Sequence, residues 1–320
     1  MDISVIVPIY NVEKYIEKSL RSLFSQTKTD GVEFILVNDC TPDNSMTVVQ
    51  RVINDFPIID VKVINNKENQ GSAATRQNGQ NVAQGEYLAF IDSDDYCDPT
   101  MLEDMYAEAV KTNADIVVAD FYFTYPDREE VHSQNLSGTP VDVLRAIYRS
   151  QVYPSIWTKM IKRSLYVDNN IHWVKGINMG EDVVICSKLL SNAKSFAYLR
   201  KPFMHYVQNA ASMVYNYSYK TCMDLVNGAK EIERYLREKN VIELYHDDFM
   251  FYKVNVKLLG MRFSKDKTQQ REFARLFPET NPYICKHPDY RWYHKIALTF
   301  AAWHIMLPMR IMYHYLPQRN

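Results

Sequence analysis

The chain has 320 residues, of which 47% are hydrophobic and 23% are charged, and its net charge is −1. This length exceeds one minimal domain and favours two domains with a sizeable core. A near-neutral balance excludes a global basic field that would attract nucleic acid, so we expect no nucleic-acid partner.

The distribution of cysteines and the length of the apolar runs indicate the cellular compartment of the protein. Five cysteines are scattered along the chain without a CxxC pair, which is typical of a reducing environment. The N-terminus lacks a charged segment followed by an apolar signal core, and no run of about 18 uncharged apolar residues occurs. We therefore expect a cytoplasmic protein without a membrane-spanning helix.

The first hundred residues alternate between strand and helix patterns. Apolar, β-branched runs predict strands at residues 3–8, 33–37, 61–64 and 87–91, with helical spacing between them. This alternation predicts an α/β fold with a mostly parallel sheet flanked by helices, in which ligands bind at the carboxyl ends of the strands. Each predicted strand ends in polar or turn residues, so we expect a site at that edge of the sheet.

The pattern changes further along the chain. A helix is predicted at residues 101–110 and a strand at 116–119, followed by a surface loop at 125–140. From residue 141 onward the pattern is mainly helical, with amphipathic stretches at 222–236, 244–263 and 273–277. We therefore predict an α/β domain over residues 1–215 and a helical region over residues 216–320.

The densest group of chemical side chains is Asp92-Ser93-Asp94-Asp95, directly after the fourth predicted strand. Three carboxylates in four residues raise one another's pKa unless a cation lies among them. Asp92 and Asp94 alternate along the chain and can face one ligand, and Mg²⁺ and Mn²⁺ prefer such oxygen ligands together with substrate phosphates. The alternative is a solvated turn in which Asp95 caps the next helix.

Three further positions have two interpretations each. Asp39 ends the second strand, where a turn-forming aspartate needs no function. Arg76 follows Gly71 in a predicted helix and is either a solvated charge or a planar donor to phosphate or carboxylate. Glu181-Asp182 precede an apolar run, so they are either helix caps or supply a general base that takes a proton from a reacting hydroxyl.

Taken in chain order, these motifs resemble those of family 2 glycosyltransferases of the GT-A fold. The resemblance covers roughly residues 1–215 and rests on five short motifs with suitable gaps, namely Ile3 to Asn11 (ISVIVPIYN), Val37-Asn38-Asp39, Asn69 to Arg76 (NQGSAATR), Asp92 to Asp95 (DSDD) and Glu181-Asp182. It implies a nucleotide-sugar-binding and catalytic domain that transfers a sugar from a nucleotide diphosphate with inversion of the anomeric carbon.

The resemblance also implies roles for residues of the nucleotide pocket. Pro8 and Tyr10 would line that pocket, and Asp39 would accept the N3–H of a uracil. Arg76 would support the nucleotide and its phosphates. A UDP-sugar is therefore the expected donor.

The resemblance also implies which residues are catalytic. Asp92, Ser93 and Asp94 correspond to the DxD motif at the nucleotide sugar, with Asp94 as the main ligand of a divalent Mn²⁺ or Mg²⁺ cofactor and Asp92 beside it. Asp182 corresponds to the catalytic base and Glu181 to its acidic neighbour. In this mechanism the cation stabilises the leaving diphosphate while the base takes the proton of an acceptor hydroxyl on a glycan or a lipid-linked saccharide.

Two segments depart from the family pattern. The family element Trp157 to Met160 (WTKM) has Thr158 where asparagine is more usual. Val207 occupies a position that is often basic in the family, where it reaches the diphosphate. Either His205 substitutes as a phosphate or metal ligand, or that contact is absent and His205 is structural.

Two other functions remain open from the sequence. A nucleotidyltransferase also uses a strand-end carboxylate pair, but a Gly-rich phosphate loop normally follows its first strand, and residues 10–13 contain no glycine. A non-catalytic nucleotide-sugar-binding protein needs no base, so Glu181-Asp182 argue against it.

The last segment, residues 290–320, contains four basic residues, several aromatic residues and no acidic residue. This composition resembles a helix in a membrane interface, with its basic side towards anionic headgroups. The alternative is a core or dimer helix. From the membrane interpretation we expect the protein to lie peripherally on the inner face of the cell membrane. The family resemblance implies that this place would suit a lipid-linked acceptor, as in the assembly of bacterial surface polysaccharides.

Overall fold

The structure of the chain is a computed structural model that describes residues 1–208, 217–264 and 266–303, together with residues 305 and 308. The described residues divide into two compact units. The first contains residues 1–143 and 152–208, and the second contains residues 144–151 and the described residues from 217 onward. The predicted domain boundary, between residues 215 and 216, lies outside the described part of the chain.

The first unit is built on a mixed sheet. Its described strands are β1 (Ile3–Ile9), β2 (Val32–Asn38), β3 (Asp60–Asn65), β4 (Tyr87–Phe90), β5 (Tyr96–Cys97), β6 (Ile116–Thr124), β7 (Glu129–His132), β8 (Lys159–Lys162) and β9 (Phe196–Val207). They follow the order β3-β2-β1-β4-β8-β6-β9-β5, and β7 pairs with β6. The first four strands pair in parallel, as do β6 and β9, whereas β5, β7 and β8 pair antiparallel.

The described helices confirm the predicted α/β architecture. Helices from the first part of the chain are α1 (Ile16–Phe24), α2 (Ser45–Asp55), α3 (Ser72–Val82), α4 (Met101–Thr112), α5 (Pro140–Tyr148), α6 (Arg163–Asp168) and α7 (Glu181–Leu190). The second unit contains α8 (Tyr219–Glu238), α9 (His246–Phe263), α10 (Lys267–Arg275) and α11 (Trp292–Ala302). Short 3-10 turns occur at Ile156–Thr158, Ile242–Tyr245 and Pro278–Tyr283.

The central strands are buried on both faces, which explains their continuous apolar sequences. Every residue of β1 except the partly exposed Pro8 is buried, and α1 covers one face of the sheet with residues at helical spacing, such as Leu20 and Leu23. The buried Ser4 hydroxyl donates a hydrogen bond of 2.6 Å to Glu33 of β2. The strands that carry the site are therefore held rigidly.

The register of the strands brings their carboxyl ends together, as predicted. Ile9 at the end of β1 lies opposite Asn38 of β2, and Asn38 lies opposite Asn65 of β3. The Ile91 amide, after β4, donates to the Ile6 carbonyl of β1. Because parallel strands share one direction, the four polar segments that follow them meet at a single edge.

The prediction of a loop followed by mainly helical structure after residue 125 was wrong for β7, β8 and β9. Ala119 of β6 pairs with Leu199 of β9, but the next residue of β6, Asp120, pairs with Pro202 of β9. Residues 200–201 of β9 therefore form a bulge. A bulge accommodates a proline, which has no N–H to donate, but it interrupts the alternation by which strands are recognised. Strand β8 has only four residues and carries a lysine at each end.

The second unit contains the predicted amphipathic helices. Helix α8 covers the stretch 222–236, α9 covers all of 244–263 except residues 244–245, and α10 ends at Arg275, before the end of the predicted stretch 273–277. No helix among the described residues is long and apolar enough to cross a membrane.

Helix α11 includes the beginning of the predicted membrane-binding tail. Trp292 and Trp303 are 72% and 67% exposed, and Ile296 and Phe300 are also exposed. These four residues follow helical spacing and share one face, which we call the α11 stripe, whereas Ala297 and its neighbours on the other face are buried. Residues 304, 306–307 and 309–320 lie outside the described part of the chain.

Candidate active site

The loop after β4 presents its carboxylates in different environments. The Asp92 carboxylate accepts a hydrogen bond of 2.5 Å from a terminal nitrogen of Arg76, while Ser93 is buried. Asp94 is partly exposed, and burial together with the negative charge of Asp92 raises its pKa to about 6. A cation beside Asp94 would relieve this unfavourable charge.

Asp95 attaches the same loop to strand β9. Its Oδ1 accepts a hydrogen bond of 2.8 Å from the Val207 amide. Burial, followed by the charges of Asp94 and Asp92, raises the pKa of Asp95 well above its usual value. Helix α4 begins only at Met101, so the alternative in which Asp95 caps the next helix is wrong.

Asp39 joins the end of β2 to the start of α3. Its Oδ1 accepts hydrogen bonds from the Asn66 side chain at 2.8 Å and from the Gln70 amide at 2.9 Å, and its Oδ2 accepts from the Gly71 amide at 2.9 Å. Gly71 has a φ of +85°, which favours glycine, and a Cβ there would lie 2.2 Å from the Asn178 side chain. These partners are 27 or more positions away in sequence, so Asp39 is not a local turn residue.

Arg76 is a buried cation among carboxylates rather than a solvated charge. It is 5% exposed, and its two terminal nitrogens donate to Asp92 and, at 3.0 Å, to Glu181. Its guanidinium carbon lies 5.3 Å from the centre of the Trp173 ring. Burial lowers the pKa of Arg76, but the charges of Asp92, Asp182 and Glu181 outweigh it and raise that pKa above its ordinary value.

The predicted catalytic carboxylates lie at the start of α7. Glu181 accepts hydrogen bonds from Ser72 at 2.9 Å and from Arg76. The Oδ2 of Asp182 accepts a hydrogen bond of 3.1 Å from the Ile156 amide, whereas its buried Oδ1 has no hydrogen-bond partner among the described residues. Both carboxylates therefore reach other segments of the first unit, which helix capping alone does not require.

The environment of Asp182 suits a group that accepts a proton near neutral pH. Burial raises the pKa of Asp182 to about 7, the charge of Arg76 opposes this rise, and the charges of Glu181 and Asp92 add to it. An efficient general base has a pKa close to the pH at which it works. Oδ1, which has no hydrogen-bond partner among the described residues, is the oxygen that retains acceptor capacity for that proton.

His205 is held by protein groups on every side. Its ring stacks between those of Tyr96 and Tyr122, with centroids 4.2 and 4.6 Å away. Its Nδ1 lies 2.7 Å from Glu129 and its Nε2 lies 3.1 Å from Asp98. A metal ion or phosphate would have to displace one of these carboxylates, so the ligand role of His205 stays a prediction without support from this geometry.

The residues assigned to the nucleotide pocket end β1. Pro8 is partly exposed and Tyr10 is 46% exposed, at the edge of the sheet where Asp39 follows the neighbouring strand β2. Val207, at the position that is often basic in the family, instead contacts Asp95 through its amide. The contacts of these residues with a nucleotide stay predictions.

Asp92 and Asp94 can hold a metal ion only together with another ligand. Within the described residues, no group of three or more histidine, cysteine, aspartate or glutamate side chains is placed to hold a metal ion by itself. Mg²⁺ commonly binds through one or two carboxylates, substrate phosphates and water. Two adjacent carboxylates, one with an elevated pKa, fit such a shared site.

The structure adds residues that sequence reasoning did not assign to the site. Ser72 contacts Glu181, Asn66 contacts Asp39, and the buried Lys159 lies in the segment whose Ile156 amide contacts Asp182. Of these added residues, only Lys159 stood out in the sequence. It lies among apolar residues in the WTKM element, and a lysine is rarely buried without a partner.

Most of the region that matches a known family lies in the first unit. The profile described as Glycosyl transferase family 2 matches residues 4–204. The chain belongs to glycosyl transferase family 2. The resemblance noted in the sequence is thus confirmed, and this glycosyltransferase is an enzyme of sugar transfer rather than of nucleotidyl transfer.

Relatives with curated names support the same assignment. The putative glycosyltransferase EpsH of Bacillus subtilis is 28% identical over 285 residues, which cover 86% of this chain and 80% of EpsH. The poly(ribitol-phosphate) β-N-acetylglucosaminyltransferase TarS of Staphylococcus aureus is 28% identical over 216 residues, 64% of this chain but only 35% of TarS. The aligned part of this glycosyltransferase therefore corresponds to about a third of the length of that relative.

Solved structures show the fold. The crystal structure of S. aureus TarS residues 1–349 in complex with UDP-GlcNAc has a TM-score of 0.73 and 22% identity, and the match covers 98% of this chain and 91% of that one. The mannosyltransferase PcManGT from Pyrobaculum calidifontis, in complex with GDP-Man and Mn²⁺, has a TM-score of 0.52 and 14% identity, with 98% and 87% covered. The predicted GT-A fold of this family 2 glycosyltransferase is confirmed.

Proposed function

We propose that this glycosyltransferase transfers a hexosyl or N-acetylhexosaminyl group from a UDP-sugar to a hydroxyl of a glycan or lipid-linked acceptor, with inversion of the anomeric carbon. The observation that carries the proposal is the environment of Asp182. This partly buried carboxylate has one buried oxygen without a partner among the described residues and lies in a charge network with Arg76 and the loop of Asp92.

The proposed donor follows from Asp39. Its two carboxylate oxygens accept three hydrogen bonds from the protein, and a carboxylate can accept about four. One acceptor position is thus left for the N3–H of a uracil base. The TarS complex with UDP-GlcNAc, which has the same fold, supports a uridine nucleotide.

Asp92 and Asp94 would hold Mn²⁺ or Mg²⁺ against the diphosphate of the donor. When bound, the cation supplies charge stabilisation to the departing diphosphate. The two terminal nitrogens of Arg76 donate to both Asp92 and Glu181, so a cation of the protein itself already offsets part of the negative charge of this site. The Mn²⁺ in the PcManGT complex supports a divalent metal in this fold.

The proton is handled by Asp182. Its Oδ1 accepts the proton of the acceptor hydroxyl as the new glycosidic bond forms and the bond to the diphosphate breaks. Attack opposite the leaving group inverts the anomeric carbon, and no covalent bond between sugar and enzyme is required.

The donor and the metal can be tested together by calorimetry. In the presence of Mn²⁺, the native protein should bind UDP at least about 10²-fold more tightly than GDP, because a site with an unmet hydrogen bond discriminates strongly. A chelator and Asp94→Asn should each weaken UDP binding by at least about tenfold, because the diphosphate loses its cation. Equal affinities for UDP and GDP would contradict the uridine assignment.

A control separates the metal from general effects of charge. Asp127 is an exposed carboxylate on the turn before β7, and Asp127→Asn removes the same charge as Asp94→Asn. This variant should bind UDP as the native protein does. If Asp94→Asn also binds UDP normally in Mn²⁺, Asp94 is not a metal ligand.

We place the protein on the cytoplasmic face of a membrane, through residues 290–320. All five cysteines are free, as in a reducing compartment. The α11 stripe exposes on the order of 500 Å² of apolar surface, which insertion into a membrane interface would cover. Arg291 and Lys295 flank it without any acidic residue from 290 to 320, which suits anionic lipid.

Sedimentation with anionic vesicles tests this placement. The full chain should co-sediment at low salt, since each basic residue near the surface contributes about 1 kcal/mol, and salt should weaken the attraction. The double variant Trp292→Ala, Trp303→Ala should lose most of the binding while UDP binding is unchanged. Ile58→Ala, which truncates a side chain that is 92% exposed in the first unit, is the control. A full chain that stays in the supernatant would refute the membrane proposal.

A further inference from the structure

Lys159 is a buried lysine that no step of the proposed reaction uses. It begins strand β8 and is 2% exposed. Its ammonium donates to the Ser155 carbonyl at 2.5 Å and to the Thr158 hydroxyl at 3.2 Å. Burial lowers the pKa of Lys159, and the nearby Cys186 and Asp182 oppose that shift. The free-energy cost of burying an ammonium makes an explanation necessary.

The Ser155 carbonyl and the Ile156 amide belong to one peptide group. In a planar trans peptide, the C=O and the N–H point in opposite directions. The ammonium of Lys159 donates to the oxygen of this peptide group. The N–H of the same peptide group donates to Oδ2 of Asp182 at 3.1 Å. The lysine and the carboxylate are thus connected through a single amide.

We propose that Lys159 is a positioning residue for Asp182, which acts through the Ser155–Ile156 peptide and leaves Oδ1 of Asp182 as the atom that takes the proton. The inference rests on the proposed role of Asp182 as the base. A cation on a carbonyl oxygen polarises the amide and strengthens the hydrogen bond that its N–H donates. Oδ2 is thereby fixed and stabilised, and Oδ1 remains the oxygen without a partner.

A second contact attaches the same turn to α7. The Cys186 thiol donates to the Pro154 carbonyl at 3.0 Å, and Cys186 lies one helical turn after Asp182. Thr158 also donates to the Ser155 carbonyl, at 3.1 Å. The peptide that faces Asp182 is therefore held within the turn, and the peptide before it is held by α7, which limits the geometry that the carboxylate can adopt.

The charge of Lys159 is one of several charges that surround Asp182. The titratable and charged groups that act on Asp182 are Arg76 on α3, Asp92 after β4, Lys159 on β8, Tyr166 on α6, and Glu181 and Cys186 on α7. Arg76 is already shared between two other carboxylates. Loss of the Lys159 charge should therefore make Asp182 harder to deprotonate.

The test is the pH dependence of kcat for Lys159→Met in the full chain, with a UDP-sugar and Mn²⁺. The acid limb should move to higher pH, and kcat near neutral pH should fall by about tenfold, because less of Asp182 is ionised. The Kd for UDP should stay within about twofold of the native value, since Lys159 does not touch the donor pocket. Lys162→Met, on the same strand, is the matched control and should keep the native limb.

Other outcomes overturn the inference. If the acid limb in the pH dependence of kcat is unchanged in Lys159→Met, or if UDP binding and kcat fall by the same factor, Lys159 only supports the fold. If Lys159→Met does not fold, Lys159→Gln replaces it, because the glutamine amide can still donate to the Ser155 carbonyl without carrying a charge. An unchanged acid limb in the pH dependence of kcat for Lys159→Gln refutes the proposal. An Asp182→Asn variant that retains activity would instead refute the proposed role of Asp182 as the base, on which this inference rests.

Discussion

Asp182→Asn is expected to lower kcat by at least about 10²-fold, the usual loss when a general base is removed. Asparagine keeps the shape of the side chain, and its oxygen can still accept from the Ile156 amide. It cannot take a proton from the acceptor hydroxyl. The Kd for UDP in Mn²⁺ should remain close to the native value, because the proposed donor pocket is formed by other residues.

The pH profile gives this prediction a second measurement. Burial raises the pKa of Asp182 to about 7, so the carboxyl is protonated and inactive as a base at lower pH. The kcat of the native enzyme should therefore rise with pH and level off above about 7. In Asp182→Asn this limb should disappear. Transfer at a near-native rate with a native acceptor would remove Asp182 from the mechanism.

Arg76→Met should destabilise the protein by about 3 kcal/mol at neutral pH, because removing one partner of a buried ion pair leaves carboxylates without a counter-charge. Asp92 and Glu181 would lose their hydrogen bonds to the guanidinium. Arg76 also lowers the pKa of Asp182, so that pKa should rise further in the variant. Urea unfolding of the native and variant proteins measures the difference.

The stability loss in Arg76→Met should depend on pH in a fixed direction. A carboxyl whose folded-state pKa lies above its unfolded-state pKa favours folding at low pH, and that contribution disappears as the pH rises through the folded-state value. The variant should therefore approach the native stability near about pH 5 and fall behind it near about pH 8.

Arg128→Met is the matched control for this experiment. Arg128 pairs with two exposed carboxylates on the surface, and such pairs contribute about 0–1 kcal/mol. An Arg76→Met variant as stable as the native protein at about pH 8 would show that Arg76 does not hold the site together.

The parallel half of the sheet could be predicted because β1, β2 and β4 are nearly continuous apolar runs, and β3 alternates apolar with polar residues. Residues 3–8 and 33–37 were recognised within two residues of β1 and β2, and the polar residues after them were placed at one edge. That edge collects Asp39, Arg76 and the loop of Asp92 because parallel strands share a direction. These parts of the site needed no long-range information.

The contacts of Asp182 could not be predicted in this way. Its partner Ile156 is 26 positions earlier in sequence, and the two meet only because β8 inserts between β4 and β6. Strand β8 has four residues, too few for a reliable period. The carboxylate pairing of His205 likewise depends on β7, which lies in a stretch that was predicted as a loop.

The three hydrogen bonds that Asp39 accepts bear on how the donor preference of this enzyme could be re-engineered. Two of them hold the Gln70 and Gly71 amides, which lead into the helix that carries Arg76. A substitution meant only to admit a different base would also release this loop and shift the helix behind it. A change of donor would therefore require at least one compensating substitution in the loop, and single-site libraries at position 39 should yield weaker enzymes rather than enzymes with a new donor.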